Sequence, residues 1–189
     1  MRGLATAVFI AGITAAGIAV SGAAPAWPST AAALLQPAAS GELVVVVVRH
    51  AEKATDDARD PSLSAAGADR AQALAKRLAG LPLAAAYATP FKRTQLSAAP
   101  AADAAGIAVT VREFVSRNPD EDAAALREQL LHDHRGEVVL VVGHSNTVPA
   151  IVEALAGSEA EPMAEAEFDR LSVVRLRADG SALLGVERY

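Results

Sequence analysis

The hydrophobic pattern changes its period along the chain, and each change marks an element. Leu43 to Val48 is an unbroken apolar run containing five consecutive valines, the β-branched, both-faces-apolar pattern of a central parallel strand. It ends abruptly in Arg49 and His50. From Ser64 to Leu78 the apolar positions Ala71, Leu74, Ala75 and Leu78 fall at helical spacing, with Ser64 as cap and Gly80 as stop. Ala84 to Ala88 predicts a short strand broken by Thr89-Pro90. Lys92 to Ala105 predicts a second helix closed by Gly106, and Pro100 within it predicts a kink or an early end. Ile107 to Val111 reads as a third strand. A polar loop and a helix from Asp120 to Leu131 follow, with three acids near the positive end of the helix dipole. Val138 to Val142 is again a buried strand, ending in Gly143-His144 before a helix from Thr147 to Ala156. Leu171 to Arg177 and Ala182 to Glu187 complete the chain as two strands, and Ala178-Asp179-Gly180-Ser181 between them carries a hairpin signal.

This alternation predicts a three-layer α/β/α sandwich with a mostly parallel sheet and one antiparallel excursion. A chain of 189 residues favours one such domain, since two would both be marginal. Hydrophobic residues make up 52% but aromatics only 4%, and 46 residues are alanine, so the core must rely on valine, leucine and isoleucine. A net charge of -5 disfavours binding to the phosphate backbone of nucleic acid. The absence of cysteine excludes disulfides, thiolate nucleophiles and cysteine-ligated zinc.

The first residues change the picture of where the domain works. Arg2 supplies a positive start, Leu4 to Val20 is uncharged and apolar, and Ala24-Pro25-Ala26 offers the small residues that a signal peptidase reads. Residues 1–26 therefore read as a signal peptide and the mature chain as exported, periplasmic or secreted. The alternative is an uncleaved anchor, because Leu4 to Ala24 approaches the roughly 20 residues that span a bilayer. Residues 27–40, rich in alanine, proline and serine, read as a flexible leader, and residues 41–189 as the domain.

In open parallel sheets ligands bind beyond the carboxyl ends of the strands. Here Arg49 and His50 follow the first strand, Thr89, Lys92 and Arg93 the second, Glu113 the third, and His144, Ser145 and Asn146 the fourth. A lone histidine in such a place is usually a packing residue, but four polar sets on one rim are harder to dismiss. Two arginines and two histidines at one point make a positive pocket that calls for an anion. The planar fork of arginine matches pairs of phosphate oxygens. A histidine held by one ring nitrogen can attack phosphorus with the other, giving a phosphohistidine that water later hydrolyses, and no metal or other cofactor is required.

Arg49-His50-Ala51-Glu52-Lys53 resembles the RHxE signature of the histidine phosphatase, or phosphoglycerate mutase-like, superfamily. Leu63-Ser64-Ala65-Ala66-Gly67 is similar to that family's L-[ST]-x-x-G helix start. Thr89-Pro90-Phe91-Lys92-Arg93-Thr94 resembles its SPxxRT segment, and Gly143-His144-Ser145 its second histidine motif. The four strings stand in the family's order and cover Leu43 to Ala156. The resemblance implies a six-stranded sheet with one antiparallel strand, His50 as the phosphorylated nucleophile, and Arg49, Arg93 and His144 as the phosphate pocket.

The proton donor is harder to place. One branch of the family has a glutamate after the third strand, for which Val111-Arg112-Glu113-Phe114 is the nearest match, so Glu113 is the candidate. The other branch has an aspartate directly after the second histidine, and Ser145 stands there instead. Glu52, Asp120, Glu121, Asp122 and Glu167 stay open as alternatives, each read more simply as a surface acid. Lys53 and Thr55 lie close enough after His50 to touch substrate. His132 and His134 suit the negative end of their helix better than a metal site. Ser145 lacks the G-x-S-x-G elbow of a serine hydrolase.

The leading expectation is a phosphomonoester hydrolase acting on a phosphorylated small molecule or a phosphoprotein, with membrane contact only if the N-terminal segment is uncleaved. The short loops between motifs disfavour a phosphoglycerate mutase, which must enclose and reorient an intermediate. A non-catalytic relative that only binds phosphorylated ligands is the alternative from another class.

Overall fold

The computed structural model describes residues 30–114 and 118–189; the expected signal segment lies outside the described residues. β1 (Leu43–Arg49) is the valine strand, and every residue in it is buried. It lies between β4 (Glu137–Gly143), which runs parallel to it, and β5 (Arg170–Leu176), which runs antiparallel. With β2 (Leu83–Ala88), β3 (Val109–Val111) and β6 (Ala182–Arg188) they form one six-stranded sheet in the order β3-β2-β4-β1-β5-β6. β5 alone runs against the others, as the sequence predicts.

Period-two alternation sends the valines of β1 to both faces. Val44, Val46 and Val48 pack with Leu74 and Leu78 from the α2 side (Ala65–Arg77) and with Ala98, Ala101 and Ala102 of α3 (Lys92–Ala105). Val45 and Val47 pack with Leu126 and Leu130 of α4 (Pro119–Asp133) and with Ile151 and Leu155 of α5 (Thr147–Ala156). The result is a phosphoglycerate mutase-like α/β/α sandwich.

Two local features depart from the sequence reading. α3 does not stop at Pro100 but continues to Ala105, where Gly106 in the left-handed region (φ 70°) closes it. Residues 31–34, inside the stretch read as a leader, form a short helix, α1, with Ala31 and Leu34 buried. Gly185 of β6 permits this approach, because a Cβ there would lie 2.6 Å from the Ala31 nitrogen. Arg175 secures the segment by donating to the Leu34 and Gln36 carbonyls. Among the described residues no helix is long and apolar enough to cross a membrane.

Gly67 has a further structural duty. The Ser64 hydroxyl caps α2 by accepting from the Gly67 N–H, while the Ser64 N–H donates to the Glu52 carbonyl. That carbonyl runs so close to α2 that a Cβ on residue 67 would stand 2.2 Å from it. The L-S-x-x-G string thus docks the start of α2 against the chain that has just left His50.

Candidate active site

Arg49 and Gly143 are register partners at the ends of β1 and β4, and the His50 N–H extends that ladder to the Gly143 carbonyl at 2.9 Å. The pairing brings His50 and His144 to the same level on adjacent strands, with ring centroids 5.3 Å apart. His50 Nδ1 lies 2.7 Å from the Ala51 carbonyl oxygen. A carbonyl only accepts, so Nδ1 carries the proton and the lone pair is on Nε2. Burial lowers the pKa of His50 to about 4, helped by Arg49, Arg93 and Lys53 and opposed by the Ala51 bond. Burial also lowers His144 to about 3, with Arg93, His50 and Arg49 adding to the effect. Both imidazoles are therefore neutral at pH 7.

The turn after β2 supplies the next wall. The buried Thr94 hydroxyl lies 3.0 Å from the Thr89 carbonyl and 2.8 Å from that of Phe91, which fixes the Thr89-Pro90-Phe91 corner. Thr89 Oγ1 is 2.9 Å from His144 Nε2 and sets the orientation of that ring. Arg93 stacks its guanidinium 4.1 Å over the Phe91 ring, and its NH1 is 4.0 Å from Asp60.

Arg49 enters from the other side and is only 2% exposed. Its NH1 donates to the carbonyls of Ala164, Glu165 and Glu167 at 2.9–3.1 Å, and its guanidinium stacks 4.2 Å over Phe168. Its NH2 lies 3.4 Å from Glu165 Oε1. The Nε atoms of Arg49 and Arg93 are buried without a hydrogen-bond partner. Two guanidinium groups beside two neutral imidazoles in one cavity are an argument for an anionic ligand.

The cavity holds about 510 Å³ and is lined by Arg49, His50, Lys53, Arg93, Glu113 and His144 among others. Thr55 is exposed and stands outside this lining. The alternative acids are elsewhere: Glu52 is clamped by Arg70 at 2.6–2.9 Å, and Glu167 is held by Arg170 and Arg188, with Arg170 the leading cause of its lowered pKa. Asp120, Glu121 and Asp122 sit on the first turn of α4, outside the lining. His134 caps α4 between Glu137 (2.7 Å) and the Tyr87 hydroxyl (2.8 Å), while His132 meets Asp133 at the surface. Among the described residues no group of three or more histidines and acids is arranged to hold a metal ion.

The structure adds contacts at this cavity that the sequence does not predict. Thr89 stands in the quoted T-P-x-x-R-T string but gave no sign of its bond to His144. Glu165 belongs to an acid-rich stretch that reads as solvated surface, yet its side chain, 85% exposed, lines the cavity beside Arg49.

The six-stranded sheet and its histidine-bearing strand ends define a phosphoglycerate mutase-like α/β protein. Residues 45–115 match the Histidine phosphatase superfamily (branch 1), a segment that includes Arg49, His50, Arg93 and Glu113. No curated protein sequence matches the chain significantly. Solved structures share the fold. The protein histidine phosphatase SixA complexed with tungstate aligns with a TM-score of 0.63 at 21% identity, over 77% of this chain and 96% of that one. A phosphoserine phosphatase from Entamoeba histolytica, in complex with 3-phosphoglyceric acid, aligns with a TM-score of 0.57 at 14% identity, over 75% of this chain and 94% of that one. A mycobacterial glucosyl-3-phosphoglycerate phosphatase aligns with a TM-score of 0.58 at 14% identity, over 78% and 98%.

Proposed function

We propose that the protein is a phosphomonoester hydrolase that works through a phosphohistidine on Nε2 of His50. The observation that carries this reading is the 2.7 Å bond from His50 Nδ1 to the Ala51 carbonyl. It sets the tautomer of a nucleophile, with Nε2 unprotonated, next to His144 and two arginines. Phosphate oxygens then meet the guanidinium N–H groups, which stabilise the charge that spreads over them as phosphorus changes partners. Arginine supplies the positive charge that a metal supplies elsewhere, so turnover in this reading is independent of divalent ions. Substrates are phosphorylated small molecules or phosphoproteins. The N-terminal pattern of the sequence supports export and processing near Ala26.

The test is rapid quenching at neutral or alkaline pH after mixing with a ³²P-labelled phosphomonoester. Label should be trapped on His50, and His50→Ala should lower kcat by several orders of magnitude while the protein stays folded. Near-normal turnover by the folded variant, or label on Ser145, overturns the reading. Activity lost to a chelator and restored by a divalent cation overturns its metal independence.

A further inference from the structure

Between His50 and α2 the chain makes a loop, residues 54–62, that is tied at its base and along its length. Lys53 and Leu63 form an antiparallel bridge, and beside it the Ala54 N–H donates to the Ser62 carbonyl at 2.9 Å. Within the loop, Asp56 accepts from the Ser62 N–H at 3.0 Å and from its hydroxyl at 2.5 Å. Asp57 accepts from the N–H groups of Arg59 and Asp60 at 2.8 and 3.1 Å. Pro61, which is buried, biases Asp60 before it towards extended backbone. From this braced frame Asp60 reaches α3.

There its Oδ1 accepts from the Lys92 N–H at 2.8 Å, and the same oxygen lies 4.0 Å from Arg93 NH1. The first contact completes a helix start. Phe91, the N-cap residue of α3, makes no side-chain cap bond, so a carboxylate 32 residues upstream of Lys92 satisfies that N–H and meets the positive end of the helix dipole. The second contact is too long for a hydrogen bond. Arg93 therefore keeps its N–H groups for a ligand while its charge has a fixed neighbour. Burial lowers the pKa of Arg93, and the Asp60 carboxylate opposes that. Among the described residues no other carboxylate pairs with Arg93.

We propose that Asp60 is a positioning residue for Arg93: it pins the first turn of α3 and meets the guanidinium at NH1 while Phe91 supports its face. The assignment rests on the reading of the cavity as a phosphate site given above. An arginine side chain is long and flexible, and a misplacement of about 1 Å in a group that clamps substrate can cost on the order of 10²-fold in rate. The helix start, the Phe91 ring and the Asp60 carboxylate together fix one pose. The same carboxylate repels an incoming phosphate, but its side chain is 32% exposed and solvent screens that longer-range effect, whereas the contacts to Lys92 and Arg93 act at close range.

The experiment is a double-mutant cycle on Asp60 and Arg93, read as kcat/KM on p-nitrophenyl phosphate and, without turnover, as the calorimetric Kd of inorganic phosphate. Asparagine keeps an oxygen for the Lys92 N–H and removes the charge. Asp60→Asn should therefore fold and weaken both readouts by on the order of tenfold, and Asp60→Ala, which also loses the helix cap, by more. In an Arg93→Gln background, Asp60→Asn should change neither readout by more than about twofold, a non-additivity that a merely structural role does not produce. Loss by the same factor in both backgrounds, no loss with Arg93 present, a gain in phosphate affinity, or an Asp60→Asn protein that does not fold overturns the assignment. A wild type that binds phosphate and keeps the calorimetric cycle but hydrolyses no ester overturns the phosphohistidine reading and supports Asp60. One that does neither overturns both.

Discussion

His50 and His144 leave adjacent parallel strands at one level, just past the Arg49–Gly143 register pair, and their rings meet edge to face at 5.3 Å. Sheet geometry alone therefore brings the two imidazoles together. Two protonated rings at that distance beside two guanidinium groups would repel strongly, and burial resolves the conflict by keeping both rings neutral.

The pH dependence follows from this neutrality. With its pKa lowered from 6.5 to about 4, His50 keeps its attacking lone pair well below the usual range of histidine. On an aryl phosphate, kcat/KM corrected for substrate ionisation should lose its His50-dependent activity only as the pH falls towards 4. The sign for stability runs the same way: between pH 6.5 and 4 the unfolded chain binds protons that the native His50 does not, so stability falls as the solution is acidified. NMR titration of the His50 ring in the ligand-free protein checks the assignment. A midpoint near 6.5 would contradict it.

Oxyanions should stabilise the protein. Phosphate or tungstate offers acceptors to the guanidinium groups of Arg49 and Arg93, which line the cavity. An anion present at about 100 times its Kd adds about 2.7 kcal/mol, or on the order of 5–10 °C in Tm for a domain of this size. Thermal unfolding with and without the anion measures this. Arg93→Gln should reduce the shift sharply, while chloride at the same ionic strength should not reproduce it.

Gly67→Ala should be damaging although it adds one methyl group. The new Cβ would meet the Glu52 carbonyl at 2.2 Å, a backbone atom already bonded to the Ser64 N–H. Either α2 or residues 50–53 must shift, at a cost of about 1–3 kcal/mol by analogy with overpacked cores. Urea denaturation should show the loss, and kcat should fall with it because the shifted chain carries His50.

The sheet and the histidine rim were legible in the sequence because both are local patterns. Five valines in a row mark a central strand, and a polar residue directly after an apolar run marks a strand end. Arg49, His50, Glu113 and His144 could be read from the strand ends and Arg93 from the T-P-x-x-R-T string after β2, and the structure arranges all five around one cavity. The Arg49 clasp was not legible. Its partners are backbone carbonyls 115–118 residues away, and a carbonyl has no residue signature. Glu165 was hidden for a related reason: nothing local marks it out from Glu159, Glu161 and Glu167, and only the fold places it in the cavity lining. α1 escaped because its apolar face is just Ala31 and Leu34, and the space that receives it is made by Gly185 at the far end of the chain. Pro100 misled because the rule about helix breaking is local, whereas α3 is held by its packing against α2, β2 and β4.

The central place of β1 has a consequence for how the chain comes into being. Leu43 pairs with Glu137 on one side and Leu176 on the other, so the first strand synthesised has no sheet partner until most of the chain exists. At about 5–20 residues per second, the five valines wait for several seconds or more on a growing chain, as the kind of uncharged, β-prone segment that seeds aggregation. Glu42 and Arg49 flank the run with opposite charges, the usual guard for an unavoidable sticky strand. Arg49 thus protects the nascent polypeptide before there is a pocket for it to serve, and any replacement of it risks solubility during synthesis as well as chemistry afterwards.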